Sequence, residues 1–190
     1  MAYIGVARPV IARYVEREGE ISYLDGFRFG KAIKVSVSPN YEDVSDYGGI
    51  NDTEEEQEFS YAEIALNTNE IPLEAERIMF GHTSYGDEVI AKVGDRGEYV
   101  GVGIRVAEII AGRRKYTAIW IRKVKFHDGE QNHESKGDSI EYSTPETKGK
   151  AVPDYRGAWR TKKQFQTKEE ADHWLDEIAG IIGGNEEWHM

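Results

Sequence analysis

The chain has 190 residues, 39% of them hydrophobic and 31% charged, which is a globular composition rather than a disordered one. Its 24 basic and 35 acidic residues leave a net charge of −11, which argues against a protein built to grip nucleic-acid phosphate. No Cys is present, so disulfide scaffolds, thiolate zinc sites and cysteine nucleophiles are excluded. No apolar run approaches the roughly 20 residues that a membrane-spanning helix needs. Met1–Glu20 carries scattered charges and no apolar signal core, which predicts a cytosolically made, soluble chain.

Period-two alternation dominates and predicts strands with one buried face. In chain order the first candidates are Ala12–Glu16 and Glu20–Tyr23. Lys31–Ser38 follows, with Ile33, Val35 and Val37 on one face and Lys34, Ser36 and Ser38 on the other. Residues 39–58 then hold eight acids, Glu42, Asp43, Asp46, Asp52, Glu54, Glu55, Glu56 and Glu58, and no Lys or Arg. Removing their −8 from the total leaves −3 for the other 170 residues. Pro39, Asn40, Gly48, Gly49 and Asn51 are turn formers, so the stretch is expected to be a long, exposed, mobile loop. Loops of this length inside a compact domain are often functional.

Phe59–Leu66 is the next candidate strand, and Pro72–Phe80 reads as a short helix with Pro at its first position and Gly81 past its end. Glu88–Val93 is a short strand. Tyr99–Glu108 places Val100, Val102, Ile104 and Val106 on one face, opposite Gly101, Gly103, Arg105 and Ala107. Those glycines lie inside a strand pattern, so close approach of another backbone explains them better than a phosphate loop. Ala111–Arg114 is a hairpin turn into Tyr116–Phe126, where Tyr116, Ala118, Trp120, Val124 and Phe126 are expected to share a face. Asp128–Gly137 reads as loop, with Ser139–Ser143 and Gly157–Thr161 as further short strands. Thr167 and Glu170 form a capping box for a helix with Ala171, Trp174, Leu175 and Ile178 on one face and Gly180 at its C-terminal stop. Together these predict a single mostly β (α+β) domain over residues 1–180, a sandwich or barrel with a flanking C-terminal helix and one short helix, and a flexible tail over 181–190.

Catalytic signatures are missing from the sequence. The five histidines, His82, His127, His133, His173 and His189, form no metal-ligand spacing, and neither a nucleophile elbow nor a Walker lysine is present. No catalytic residue, no metal and no cofactor is expected.

The order of several segments resembles the major tail (tail tube) proteins of long non-contractile-tailed bacteriophages. The resemblance runs through Tyr3-Ile4-Gly5-Val6-Ala7-Arg8-Pro9-Val10, Ile21-Ser22-Tyr23, Gly30-Lys31-Ala32-Ile33 and the acidic Asp52–Glu58 segment. It continues through Val100-Gly101-Val102-Gly103, Ile119–Phe126, Glu141-Tyr142-Ser143-Thr144-Pro145 and Phe165–Leu175. It implies a β-sandwich flanked by a helix, and subunits that form rings, typically hexameric, stacked into a tube through which the genome is delivered. The implied partners are other copies of the chain, the tape measure, the baseplate or another initiator and the tail terminator. DNA is a transient passenger in the lumen, and the implied location is the virion, after synthesis in the bacterial host cytoplasm. In such a subunit the residue 39–58 stretch is the expected inter-ring contact, through Tyr41, Glu42, Asp43, Asp46, Tyr47, Asp52, Glu54, Glu55, Glu56 and Glu58. As a hairpin it reaches roughly 33 Å. Ile33, Val35, Val37, Trp120, Arg122 and Val124 mark the expected tube-wall strands. Net acidity suits a conduit whose walls must not hold DNA phosphate. The alternatives are a related phage-tail-like or type VI secretion tube, a sugar-binding β-sandwich using Tyr41, Tyr47, Tyr155 or Trp159, and an enzyme with two acids across a cleft.

Overall fold

A computed structural model describes residues 2–6, 9–44, 56–110, 112–128 and 145–181. Its strands are β1 (Ala2–Val6), β2 (Val10–Arg17), β3 (Glu20–Arg28), β4 (Ala32–Val44), β5 (Glu56–Thr68), β6 (Thr83–Tyr85), β7 (Glu88–Ile90), β8 (Tyr99–Ile110), β9 (Arg113–His127), β10 (Glu146–Ala151) and β11 (Arg160–Phe165). Helix α1 (Leu73–Ile78) follows β5, and α2 (Lys168–Ala179) follows β11. The fold is mostly β and antiparallel, with two helices among the described residues.

The β8–β9 hairpin is its spine. One edge of β8 carries β2 and then β1, and one edge of β9 carries β10 and then β11. The path through the sheet is β3-β2-β8-β9-β10-β5-β4. Its two ends, β3 and β4, are joined by residues 29–31 alone. Four peptide steps span at most about 14 Å. The sheet therefore curls until its first and last strands meet, giving a sandwich-like body. Ile11, Phe29, Ile64, Leu66, Val100, Val102, Ile121, Val124 and Phe126 fill the inside of the curl, together with Ala75 and Met79 from the α1 region. On the opposite face α2 packs Ala171, Leu175 and Ala179 against Val10, Ala12, Ala118 and Trp120.

A β-bulge corrects the expected face of the longest strand. Val102 pairs with Ile121, but Val100 pairs with Val124, so β9 carries one extra residue there. An extra residue reverses the alternation beyond it. Tyr116, Ala118 and Trp120 face α2, whereas Ile121, Val124 and Phe126 face the main core. The glycines of β8 are explained by the same ring. A Cβ at Gly101 would stand 2.4 Å from the Trp120 indole and 2.6 Å from the Tyr23 ring, so a side chain rather than another backbone requires the small residue.

The predicted helices are present, with Pro72 as the N-cap of α1 rather than its first residue. Thr167 and Glu170 form the reciprocal capping box, and Gly180 takes the left-handed stop at φ 68°. The strand predicted over Gly157–Thr161 begins only at Arg160, because Gly157 lies in a turn at φ 76°. Alternation marks no strand at β1, β6 or β10; β10, Glu-Thr-Lys-Gly-Lys-Ala, has too little apolar content to signal one. Ser139–Ser143 and residues 182–190 of the predicted tail lie outside the described residues.

Candidate assembly surface

Residues 39–58 are not one loop. β4 and β5 pair from Ala32↔Thr68 out to Val44↔Glu56, so Pro39–Val44 and Glu56–Glu58 are strand. The reason is propagation: Val35 and Val37, half-buried on the core, fix the register against Leu66 and Ile64, and main-chain pairing then extends into polar sequence. β10 covers β5 only from Ala62 to Asn67. Beyond it, residues 40–44 and 56–61 pair only with each other and form a two-stranded arm whose last three pairs, residues 42–44 with 56–58, span about 10 Å at strand rise. Asp46, Tyr47, Asp52, Glu54 and Glu55 lie outside the described residues.

The arm's chemistry is acidic. Glu42 stands directly opposite Glu58, an arrangement in which like charges destabilise the pair. Ser60 donates its hydroxyl to Glu42 at 2.8 Å, and Gln57 donates its amide to Asp43 at 3.1 Å. Neither neighbour supplies positive charge. Glu42, Asp43 and Glu58 are exposed and make no ion pair among the described residues.

Aromatic side chains hold the root of the arm. Phe59 stacks on Trp159 with ring centres 4.4 Å apart and planes within 5°, and Tyr41 meets Phe59 edge-on at 6.0 Å. The Arg160 guanidinium lies over Trp159 at 4.3 Å, and the Lys150 ammonium sits 3.5 Å from the Tyr61 ring centre. Trp159 is delivered by the turn between β10 and β11, which Asp154 organises. One carboxylate oxygen of Asp154 accepts the backbone N–H groups of Arg156 (2.9 Å) and Ala158 (3.0 Å), and the other accepts Arg122 Nε at 2.6 Å. The Trp159 carbonyl accepts the Arg122 backbone N–H at 2.9 Å. The Asp154 side chain has no exposed surface. Burial by itself raises its pKa, but the Ala158 N–H, the Arg122 guanidinium and the Arg156 N–H outweigh burial and hold it below the ordinary carboxylate value. Sequence reasoning missed Asp154; the signal was an Asp three residues before a turn glycine, Gly157.

The expected wall residues do not share one surface. Trp120 is sealed under α2, Val124 is sealed in the main core, and Arg122 is committed to Asp154. Val35 and Val37 pack on the main core, and the Ile33 side chain lies outside the described residues. The apolar alternation marks strands correctly but identifies their inner face. The outward face is a polar ladder in which Ser36, Ala65 and Lys148 line up across β4, β5 and β10, beside Ser38, Glu63 and Lys150. This face borders a groove of about 590 Å³ that His127 and Asp128 also line. Glu63 and Lys150 are direct cross-strand neighbours of opposite charge.

Among the described residues no group of three or more acidic, His or Cys side chains is placed to hold a metal ion, and no helix is long and apolar enough to cross a membrane. His82 is sequestered by Glu76, whose carboxylate lies 2.7 Å from its Nδ1. No protein-family model matches the chain, and neither does any curated protein.

Proposed function

We propose that this chain is a structural, non-enzymatic subunit that polymerises with copies of itself into a hollow tube, as the major tail protein of a long non-contractile-tailed bacteriophage. Rings, typically six-membered in that family, stack into the virion's tail tube and conduct the genome to the host. The tape measure, initiator and terminator are its further partners. The order of segments from Tyr3 to Gly180 suggests the family, and the curled antiparallel body flanked by α2 is compatible with it.

The observation that carries the reading is the β4–β5 arm. Two strands run past β10, with residues 42–44 and 56–58 extending about 10 Å beyond the aromatic root, present free edges, and set Glu42 against Glu58 without a cation. An isolated globular subunit gains nothing from such an arm. An assembling one uses it to reach a neighbour. The body supplies a second requirement, a polar outward face on β4, β5 and β10 suitable for an aqueous wall.

The sugar-platform alternative is weakened at its best candidate, since Phe59 and Arg160 already cover Trp159. Negative-stain electron microscopy and light scattering of the purified chain test the proposal. Hollow tubes or rings are expected, and removal of residues 40–58 is expected to leave a folded monomer. Tubes of normal appearance from that deletion would sink the role given to the arm. A monomer at all concentrations, with selective binding on a glycan array, would sink the tube itself.

A further inference from the structure

The body carries a surface that mirrors the arm. Strand β11 pairs with β9 alone, and its second edge has no strand partner among the described residues. Arg160, Lys162 and Lys163 lie along it. Beside its far end, where Lys115 reaches Gln164, the start of β9 adds Arg113, Arg114 and Lys115. These six cations make no ion pair with any described residue. Elsewhere Arg13, Arg28, Arg105 and Arg122 pair with Asp25, Asp176, Asp172 and Asp154, while Arg17, Arg77, Arg96 and Arg156 are, like the strip, without an ion pair among the described residues. What distinguishes the strip in a chain of net charge −11 is that six cations gather along one free strand edge, two of them, Arg160 and Lys163, resting on aromatic rings.

The geometry points to the β11 edge and the start of β9 as the dock for the acidic arm of a second copy of this chain. Three matches support the assignment, which rests on the self-assembly reading above. Charge is complementary, with Glu42, Asp43 and Glu58 on the arm and six cations on the strip. Length permits the contact, because the free end of the arm, residues 42–44 and 56–58, spans about 10 Å and fits along the six residues of β11. Both surfaces also end in unpaired strand edges, so main-chain pairing can join them. Within one chain, the arm's three described carboxylates and the strip make no ion pair. Donor and dock are different strands of the same subunit that adjoin at Trp159, between Phe59 and Arg160. Rings or open filaments propagate the contact, and a reciprocal two-fold exchange closes it. The cation of the dock relieves the Glu42–Glu58 repulsion that the isolated subunit must tolerate.

Charge exchange between copies provides the test. An arm-reversed chain (Glu42→Lys, Asp43→Lys, Glu58→Lys) and a dock-reversed chain (Arg114→Glu, Lys162→Glu, Lys163→Glu) are each checked for the native circular dichroism spectrum. Each is then followed by sedimentation velocity alone and mixed in equal amounts. Each alone should need at least about tenfold more protein than the wild type to associate, because like charges now face each other across the contact. The mixture should associate again, since every positive arm meets a negative dock. Zero-length carboxyl–amine cross-linking of mixed light and heavy-isotope wild-type chains should join Glu42, Asp43 or Glu58 to Lys115, Lys162 or Lys163 between copies. Association of the reversed chains at wild-type concentrations, or no recovery in the mixture, would overturn the dock and leave self-assembly standing. A wild type that neither associates nor cross-links between copies would remove both. DNA retention lost in the dock-reversed chain, with assembly intact, would reassign the strip to nucleic acid and also overturn the inference.

Discussion

Replacing Asp154 separates the charge in the β10–β11 turn from the shape of that turn. Asp154→Asn keeps an oxygen for the Arg156 and Ala158 N–H groups but turns an amide toward Arg122, so only the ion pair is lost. Removing one member of a buried pair costs about 3–5 kcal/mol in general. Here the Arg122 side chain is 23% exposed and keeps Thr161 as a partner, so it rehydrates in part, and about 2–3 kcal/mol is expected. Asp154→Ala also strands two backbone N–H groups and should reach about 3–5 kcal/mol. At about 2–4 °C per kcal/mol for a chain this long, the melting point falls by about 4–12 °C for Asn and about 6–20 °C for Ala.

The Asp154 carboxyl titrates below its unfolded value of about 3.9, so its contribution is complete above that pH and fades as pH falls through the folded-state value. Urea unfolding followed by Trp fluorescence, at pH 7 and again below pH 3, reads the difference between wild type and Asp154→Asn. The gap should shrink on acidification. A gap that is the same at both pH values, or absent at pH 7, would refute the assignment of the pair as the organiser of this turn.

Other perturbations address the remaining elements. Gly101→Ala forces a methyl against Trp120 and should cost about 1–3 kcal/mol in urea unfolding, and adding Trp120→Phe should make the double variant less unstable than the two losses summed. Phe59→Leu removes the stack on Trp159 and should cost about 1 kcal/mol, a small change in melting point, while sharply reducing tube or ring formation in electron micrographs. Thr167→Ala breaks the capping box of α2 and should lower stability by about 1 kcal/mol, read as a shift of about 2–4 °C in a thermal melt.

Much of this molecule is decided locally and could be read without coordinates. Alternating apolar residues locate β4, β5, β8 and β9, and the Thr167–Glu170 box with Gly180 locates α2, because strand faces and helix ends are set by residues within a few positions of one another. The mostly β class follows from the same signals. The concentration of acids over residues 39–58 is likewise a property of the chain alone.

Tertiary pairing decided the rest. Whether those acids sit on a loop or on a strand depended on the register that Val35 and Val37 impose against Ile64 and Leu66, which pulls polar residues into an arm their own propensities disfavour. One inserted residue in β9 sent Trp120 and Val124 to opposite faces, and bulges leave no clear trace in composition. β10 is a strand because β5 and β9 offer it two edges, not because Glu-Thr-Lys-Gly-Lys-Ala prefers to be one. Asp154 reaches Arg122 across the fold, and β11 ends with a free cationic edge, only once the curled sheet exists. The sequence therefore determines which segments are strands and where the charge is concentrated. The folded sheet determines which surfaces those charges share, because that depends on contacts between residues far apart in the chain.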